Sequence, residues 1–165
     1  MNYLSISYDD MLNGDGLRCV LWVAGCEHQC KGCHNQHTWN ASQGNPIIQE
    51  TIDEIVLYLK RDYVQGLTLS GGDPLLEQNR EDMLALVKEI KERVPEKDIW
   101  MYTGYLYEDL VKSNALEILQ YVDVLLDGPF ILDKRSPDKP WVGSSNQRVI
   151  NTKLSLNSNQ IVLKY

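Results

Sequence analysis

Short apolar runs alternate with stretches of helical periodicity along most of this chain, and few folds accommodate such an alternation. Leu17 to Ala24, Gly66 to Leu69, Ile99 to Thr103 and Val122 to Leu126 read as buried strands. Between them, Ile48, Ile52, Ile55, Val56, Leu59 and Tyr63 recur at helical spacing, as do Met83, Leu84, Val87, Ile90 and Val94. Asn45-Pro46 is expected to open the first helix, since proline is tolerated in a first turn, and Pro95 to stop the second. Leu106 to Tyr121 reads as a broken helix, Ile131 to Ser158 as a polar, loop-rich tail, and Gln160 to Tyr165 as a last strand. Strands separated by helices return in parallel through right-handed crossovers, so the expected class is α/β with a mostly parallel sheet. With so few strands, that sheet should stay an open, partial β/α barrel. No repeat, low-complexity segment or flexible linker marks a boundary, and residues 1–165 are expected to form one domain.

In such sheets ligands bind beyond the carboxyl ends of the strands. The unusual residues fall there. A cysteine run follows Leu17–Ala24, Ser70-Gly71-Gly72-Asp73-Pro74 follows the second strand, Tyr102-Thr103-Gly104 closes the third, and Asp127-Gly128-Pro129 follows the fourth. One composite site on that edge is the expectation, with Tyr102, Thr103 and Asp127 beside its ligand.

Cys26, Cys30 and Cys33 form a C-x-x-x-C-x-x-C run, while Cys19 lies within an apolar strand and reads as a core residue. Three thiolates are one short of a closed zinc site or an ordinary cubane. Zinc would need His28, His34 or His37 as its fourth ligand, and no second knuckle is present; otherwise these histidines read as surface residues. Cys19 as a fourth ligand would make an electron carrier. A [4Fe-4S] cubane on three thiolates keeps one iron open to a substrate atom. S-adenosylmethionine suits that position, because its amino and carboxylate groups can chelate iron and an electron can then break its sulfonium bond.

Charge and hydropathy narrow the classes further. Sixteen basic against 23 acidic residues give a net charge of −7, which disfavours nucleic-acid binding. Met1 to Asp10 carries two aspartates and no basic residue, unlike a signal peptide. The longest apolar stretch, Cys19 to Cys26, is far below the roughly 20 residues of a membrane span. A soluble, cytoplasmic protein without membrane partners is expected.

The cysteine spacing closely resembles the signature of the radical S-adenosylmethionine enzymes, and Ser70-Gly71-Gly72-Asp73-Pro74 is similar to their methionine-binding glycine motif. Asp73 stands where many members have Glu. The resemblance implies S-adenosylmethionine contacts at Gly32, Cys33, His34, Gly71, Gly72 and Asp73. Many members have an aromatic at the Gly32 position, so adenine stacking here falls to another group. Asn2-Tyr3, Gly14-Asp15-Gly16, Trp100 to Tyr105, Asp127 to Phe130 and Gly143-Ser144-Ser145-Asn146-Gln147-Arg148 further resemble the anaerobic ribonucleotide reductase activating proteins. Asp15 replaces the proline usual in that family's Gly-Pro-Gly turn. This resemblance covers essentially the whole chain. It implies a glycyl-radical activase with one [4Fe-4S] cluster, a reduced flavodoxin-type donor, a dimeric state and the large reductase subunit as partner. The activase of pyruvate formate-lyase is the related alternative, though that family tends to be longer; a non-catalytic zinc-binding interaction module is the alternative from another class.

Overall fold

The computed structural model describes residues 1–165. In chain order its elements are β1 (Asn2–Asp10), β2 (Leu17–Val23), β3 (Asn45–Pro46), α1 (Gln49–Leu59), β4 (Val64–Gly71), α2 (Arg80–Arg93), β5 (Asp98–Tyr102), α3 (Tyr107–Leu110), α4 (Leu116–Leu119), β6 (Val124–Asp127), β7 (Arg148–Asn151) and α5 (Thr152–Ser158). All seven strands form one open sheet in the order β3-β1-β2-β4-β5-β6-β7. The four central strands, β2, β4, β5 and β6, are parallel, as the alternation requires. The outer strands β1, β3 and β7 run antiparallel to their neighbours.

Alternate residues of the central strands feed two different faces. Cys19, Leu21, Val23, Leu67, Leu69, Ile99, Met101 and Leu125 pack with α1, α2, α3 and α4 in the main core. Ile55, Val56 and Leu59 carry the buried face of α1, and Met83, Leu86, Val87 and Ile90 that of α2. Arg18, Thr68 and Trp100 belong to the other face, where a smaller cluster joins Trp100, Val124, Leu126 and Val149 with Tyr102, Trp141 and Val142. Arg18 is fully buried there; it donates to Thr68 Oγ1 at 2.7 Å, Leu67 O at 3.0 Å and Asp98 Oδ1 at 2.6 Å. A guanidinium with its donors this fully occupied orients the second face without leaving a naked charge.

Three sequence expectations need correction. Asn45-Pro46 does not open a helix; Asn45 and Pro46 pair with Tyr3 and Asn2, and α1 starts at Gln49. Proline fits because β3 is an edge strand, where a missing N–H costs nothing. The polar tail is not all loop, since it supplies β7 and α5. The final segment contributes one bridge, Ile150 to Leu163, in place of a full strand.

That segment nonetheless covers the outer edge of β7. Asn151 N–H donates to Val162 O at 2.8 Å, and Lys164 N–H to Val149 O at 2.8 Å. The chain then reaches the β1–β2 turn, where Tyr165 Oη lies 2.6 Å from both carboxylate oxygens of Asp15 and Lys164 Nζ lies 3.3 Å from Oδ2. At the opposite end, β3 covers only Asn2 and Tyr3 of β1. No helix is long and apolar enough to cross a membrane.

Candidate active site

Parallel register aligns the carboxyl ends of the central strands. Val23 pairs with Gly71, Leu69 with Met101 and Tyr102 with Leu126, so the segments that follow them emerge together. The cysteine loop leaves β2 here and is closed at its base, with Gly25 N–H donating to Thr38 O at 2.7 Å and Cys26 N–H to Trp39 O at 3.1 Å. Beside it, Gly72 N–H reaches Val23 O at 2.8 Å and Asp73 N–H reaches Gly25 O at 2.7 Å. This seam explains the glycine pair. A Cβ on Gly71 would lie 2.7 Å from Val23 backbone atoms, and one on Gly72 would lie 2.4 Å from Gly25 O. Any other residue would push the cysteine loop off the sheet.

All three cysteines of the run are partly exposed, while Cys19 is buried in the core. Burial pushes the Cys26 thiol up to about 11. Cys33 N–H donates to Cys30 O at 3.1 Å, and Cys33 Sγ accepts from Asn35 N–H at 3.3 Å. No three His, Cys, Asp or Glu side chains converge closely enough to hold one metal ion. A cubane is larger than an ion, and its thiolates stand correspondingly farther apart. Three accessible soft donors on one short turn, one of whose sulfurs receives a backbone N–H, fit such a cluster and its preference for sulfur ligands.

Gly32, Cys33 and His34 form one wall of a cleft of about 490 Å³. Tyr102, Phe130, Trp141, Gly143 and Gln147 are among the residues opposite, and Ser70 and Trp22 contribute from the sheet. The His34 and Phe130 rings lie 6.2 Å apart, and Tyr102 Oη donates to Trp141 O at 2.8 Å. Trp141 is half-buried with its ring edge-on to Trp100.

Gly71, Gly72, Asp73, Thr103 and Asp127 do not line this cleft. Asp73 is buried and takes four kinds of donor: Thr103 Oγ1 at 2.9 and 3.0 Å, Leu75 N–H at 2.9 Å, Gly104 N–H at 2.9 Å and His28 Nε2 at 2.7 Å. Asp127 is fully buried and accepts from Tyr107 N–H at 2.8 Å and from Arg148 Nε at 2.9 Å. The segment after Gly143, for which the sequence offered no physical role, has a clear one. Asn146 Nδ2 donates to Pro129 O at 2.8 Å, Gln147 Nε2 to Gly128 O at 2.9 Å, and Arg148 to Asp127. Three consecutive side chains therefore fasten three consecutive residues, and they hold Phe130 and Gly143 at the cleft.

His28 is the residue sequence reasoning missed. It is not a surface histidine: its side chain is 16% exposed and bonded to Asp73. Its one sequence signal is its place midway between two cysteines of the run.

A family model described as a 4Fe-4S single cluster domain matches residues 12–150, which include the cysteine turn, the cleft and the parallel strands. The open sheet with three thiols at its carboxyl edge is thus that of a single-cluster iron–sulfur domain. An anaerobic ribonucleoside-triphosphate reductase-activating protein of Enterobacteria phage T4 is 50% identical over 150 residues, covering 90% of this chain and 93% of the phage protein. Proteins of the same description from Vibrio cholerae and Haemophilus influenzae are 46% and 45% identical, over 89% and 93% of this chain and 96% and 100% of their own lengths. The chain belongs to the family of anaerobic ribonucleoside-triphosphate reductase-activating proteins.

Proposed function

We propose that this chain is a radical S-adenosylmethionine activase that installs a glycyl radical on anaerobic ribonucleoside-triphosphate reductase, the enzyme named in the description of its relatives. Cys26, Cys30 and Cys33 would hold one [4Fe-4S] cluster. When bound, the cluster supplies one electron to S-adenosylmethionine, whose carbon–sulfur bond breaks to give methionine and a 5'-deoxyadenosyl radical able to take a hydrogen atom from a glycine Cα. The observation that carries this reading is the cleft itself, which shares Gly32, Cys33 and His34 with the cysteine turn.

The chain's own residues bind, orient and shield. Phe130, Trp141 and His34 offer rings against which adenine can pack, supplying the stacking that Gly32 lacks. Gly71 and Gly72, which the family likeness assigns to the ligand's methionine end, seat the β4 exit against the base of the cysteine loop, and Asp73 keeps that turn against Gly25. Apolar rings on two walls limit water around a reactive radical. The open sheet serves as the partial barrel of the radical S-adenosylmethionine type, with 1–165 as one such domain. A reduced flavodoxin-type protein is the proposed donor, a homodimer the proposed state and the cytoplasm the proposed compartment.

The test is anaerobic reconstitution with iron and sulfide, dithionite reduction, and assay of 5'-deoxyadenosine from S-adenosylmethionine. Product that disappears with Cys30→Ala supports the reading. Tightly bound zinc with no cluster would sink it. With the reductase added, a glycyl signal in electron paramagnetic resonance identifies the target.

A further inference from the structure

We propose that His28 is the latch that seats the cysteine turn on the sheet, a positioning residue for the cluster site whose purpose rests on the function proposed above. The loop base is tied by backbone bonds at Gly25 and Cys26, but no backbone hydrogen bond joins residues 27–33 to any strand; within the turn, Cys33 N–H to Cys30 O is the one that forms. Side chains must therefore fasten the part that carries Cys30 and Cys33. Two do so. Glu27 accepts from Tyr105 Oη at an exposed position, where water competes and little is gained. His28 makes the other contact, at a position largely closed to solvent.

Its imidazole is held on three sides. Nε2 lies 2.7 Å from Asp73 Oδ2, and a carboxylate only accepts, so the proton sits on Nε2. The ring rests on bare backbone at Gly104, where an added Cβ would lie 2.4 Å from Cδ2. Tyr105 meets it edge-on, with ring centroids 4.5 Å apart and planes at 71°. Asp73 is fixed in turn by Thr103, Gly104 and Leu75, which come from the ends of β4 and β5. A rigid acceptor on the sheet thus grips the midpoint between Cys26 and Cys30. This gives Asp73 of the glycine motif a task directed at the cysteine turn, and it assigns Gly104 the task of making room for the ring.

His28→Leu keeps apolar bulk over Gly104 but removes both the ring and the hydrogen bond, whereas His28→Gln removes the ring and keeps a side-chain N–H able to reach Asp73. Alkylation of Cys30 and Cys33 in the reduced, metal-free full-length chain should be about tenfold faster in the Leu variant and close to wild type in the Gln variant, the scale at which ligand-orienting partners act. After reconstitution, iron release to a chelator should follow the same order, and the cluster's paramagnetic spectrum should change only in the Leu variant. Equal thiol reactivity in wild type and His28→Leu overturns the latch. So does a Gln variant as reactive as the Leu variant, which would trace the effect to loss of the ring. The thiol measurement needs no cluster: a wild-type chain that takes up no iron and sulfide defeats the proposed function, while the alkylation rates still decide the latch.

Discussion

Gly72 lies directly against the carbonyl of Gly25: a Cβ on Gly72 would stand 2.4 Å from that oxygen, the same oxygen that accepts the Asp73 N–H at 2.7 Å. The relationship joins the exit of β4 to the base of the cysteine loop without any side chain. Gly72→Ala is therefore expected to lower the stability of the metal-free chain by about 2 kcal/mol, as overpacking commonly does. It should also reduce iron taken up on reconstitution. Unchanged thermal unfolding and unchanged iron content would show that the seam yields freely.

Arg148 binds Glu108 through two bonds of 2.9 and 2.8 Å and holds its carboxyl down at about 2, against an ordinary 4.5. A depressed carboxylate stabilises the fold fully above its unfolded value, and that contribution is lost as pH falls from about 4.5 towards about 2. Glu108→Gln should flatten stability across this acid window. At neutral pH it should cost less than about 1 kcal/mol, because the pair is half exposed. Arg148→Met differs in kind. It leaves the fully buried Asp127 without its cation, at an expected cost of about 3 kcal/mol at pH 7. Urea unfolding of both variants at pH 7 and pH 3 separates the two effects.

Gln147 ties Gly128 O to the backbone N–H groups of Gly143 and Ser144, which its Oε1 accepts at 2.9 and 3.1 Å. Gln147→Leu should loosen that wall of the cleft and leave the cysteine turn intact. The expected outcome is S-adenosylmethionine affinity reduced about tenfold, as for loss of a few net hydrogen bonds. Iron content should be unchanged, and equilibrium dialysis alongside iron analysis checks both halves.

Deleting residues 160–165 removes the Val162 acceptor from Asn151 N–H and the Tyr165 hydroxyl from Asp15. Amide exchange at Asn151 should accelerate by on the order of tenfold or more, with much smaller changes in β4 and β5. Uniform acceleration through the sheet would mean instead that the tail stabilises the whole fold.

The parallel core was legible because its cause is local: dense apolar runs such as Leu17–Ala24 and Val122–Leu126, each broken by a single charged residue, announce strands buried on both faces. The gathering of Cys26, Cys30 and Cys33 on one accessible turn was legible because their spacing is a property of sequence. What escaped depends on distant partners. Asn45-Pro46 is a strand only because Asn2 and Tyr3 lie beside it. β7 hides in a polar tail because half its bonding is to β6. His28 gives no hint of Asp73, which is 45 residues away. Asn146, Gln147 and Arg148 carried a family likeness, but their reason lies in three groups on another segment.

The two rims of the sheet are unequal. Residues 162–164 occupy the outer side of β7, while β1 beyond Tyr3 has no strand against its outer side. A strand arriving from outside therefore meets residues 162–164 in place of β7 at one rim, whereas at the other it can reach the stretch of β1 beyond Tyr3 directly.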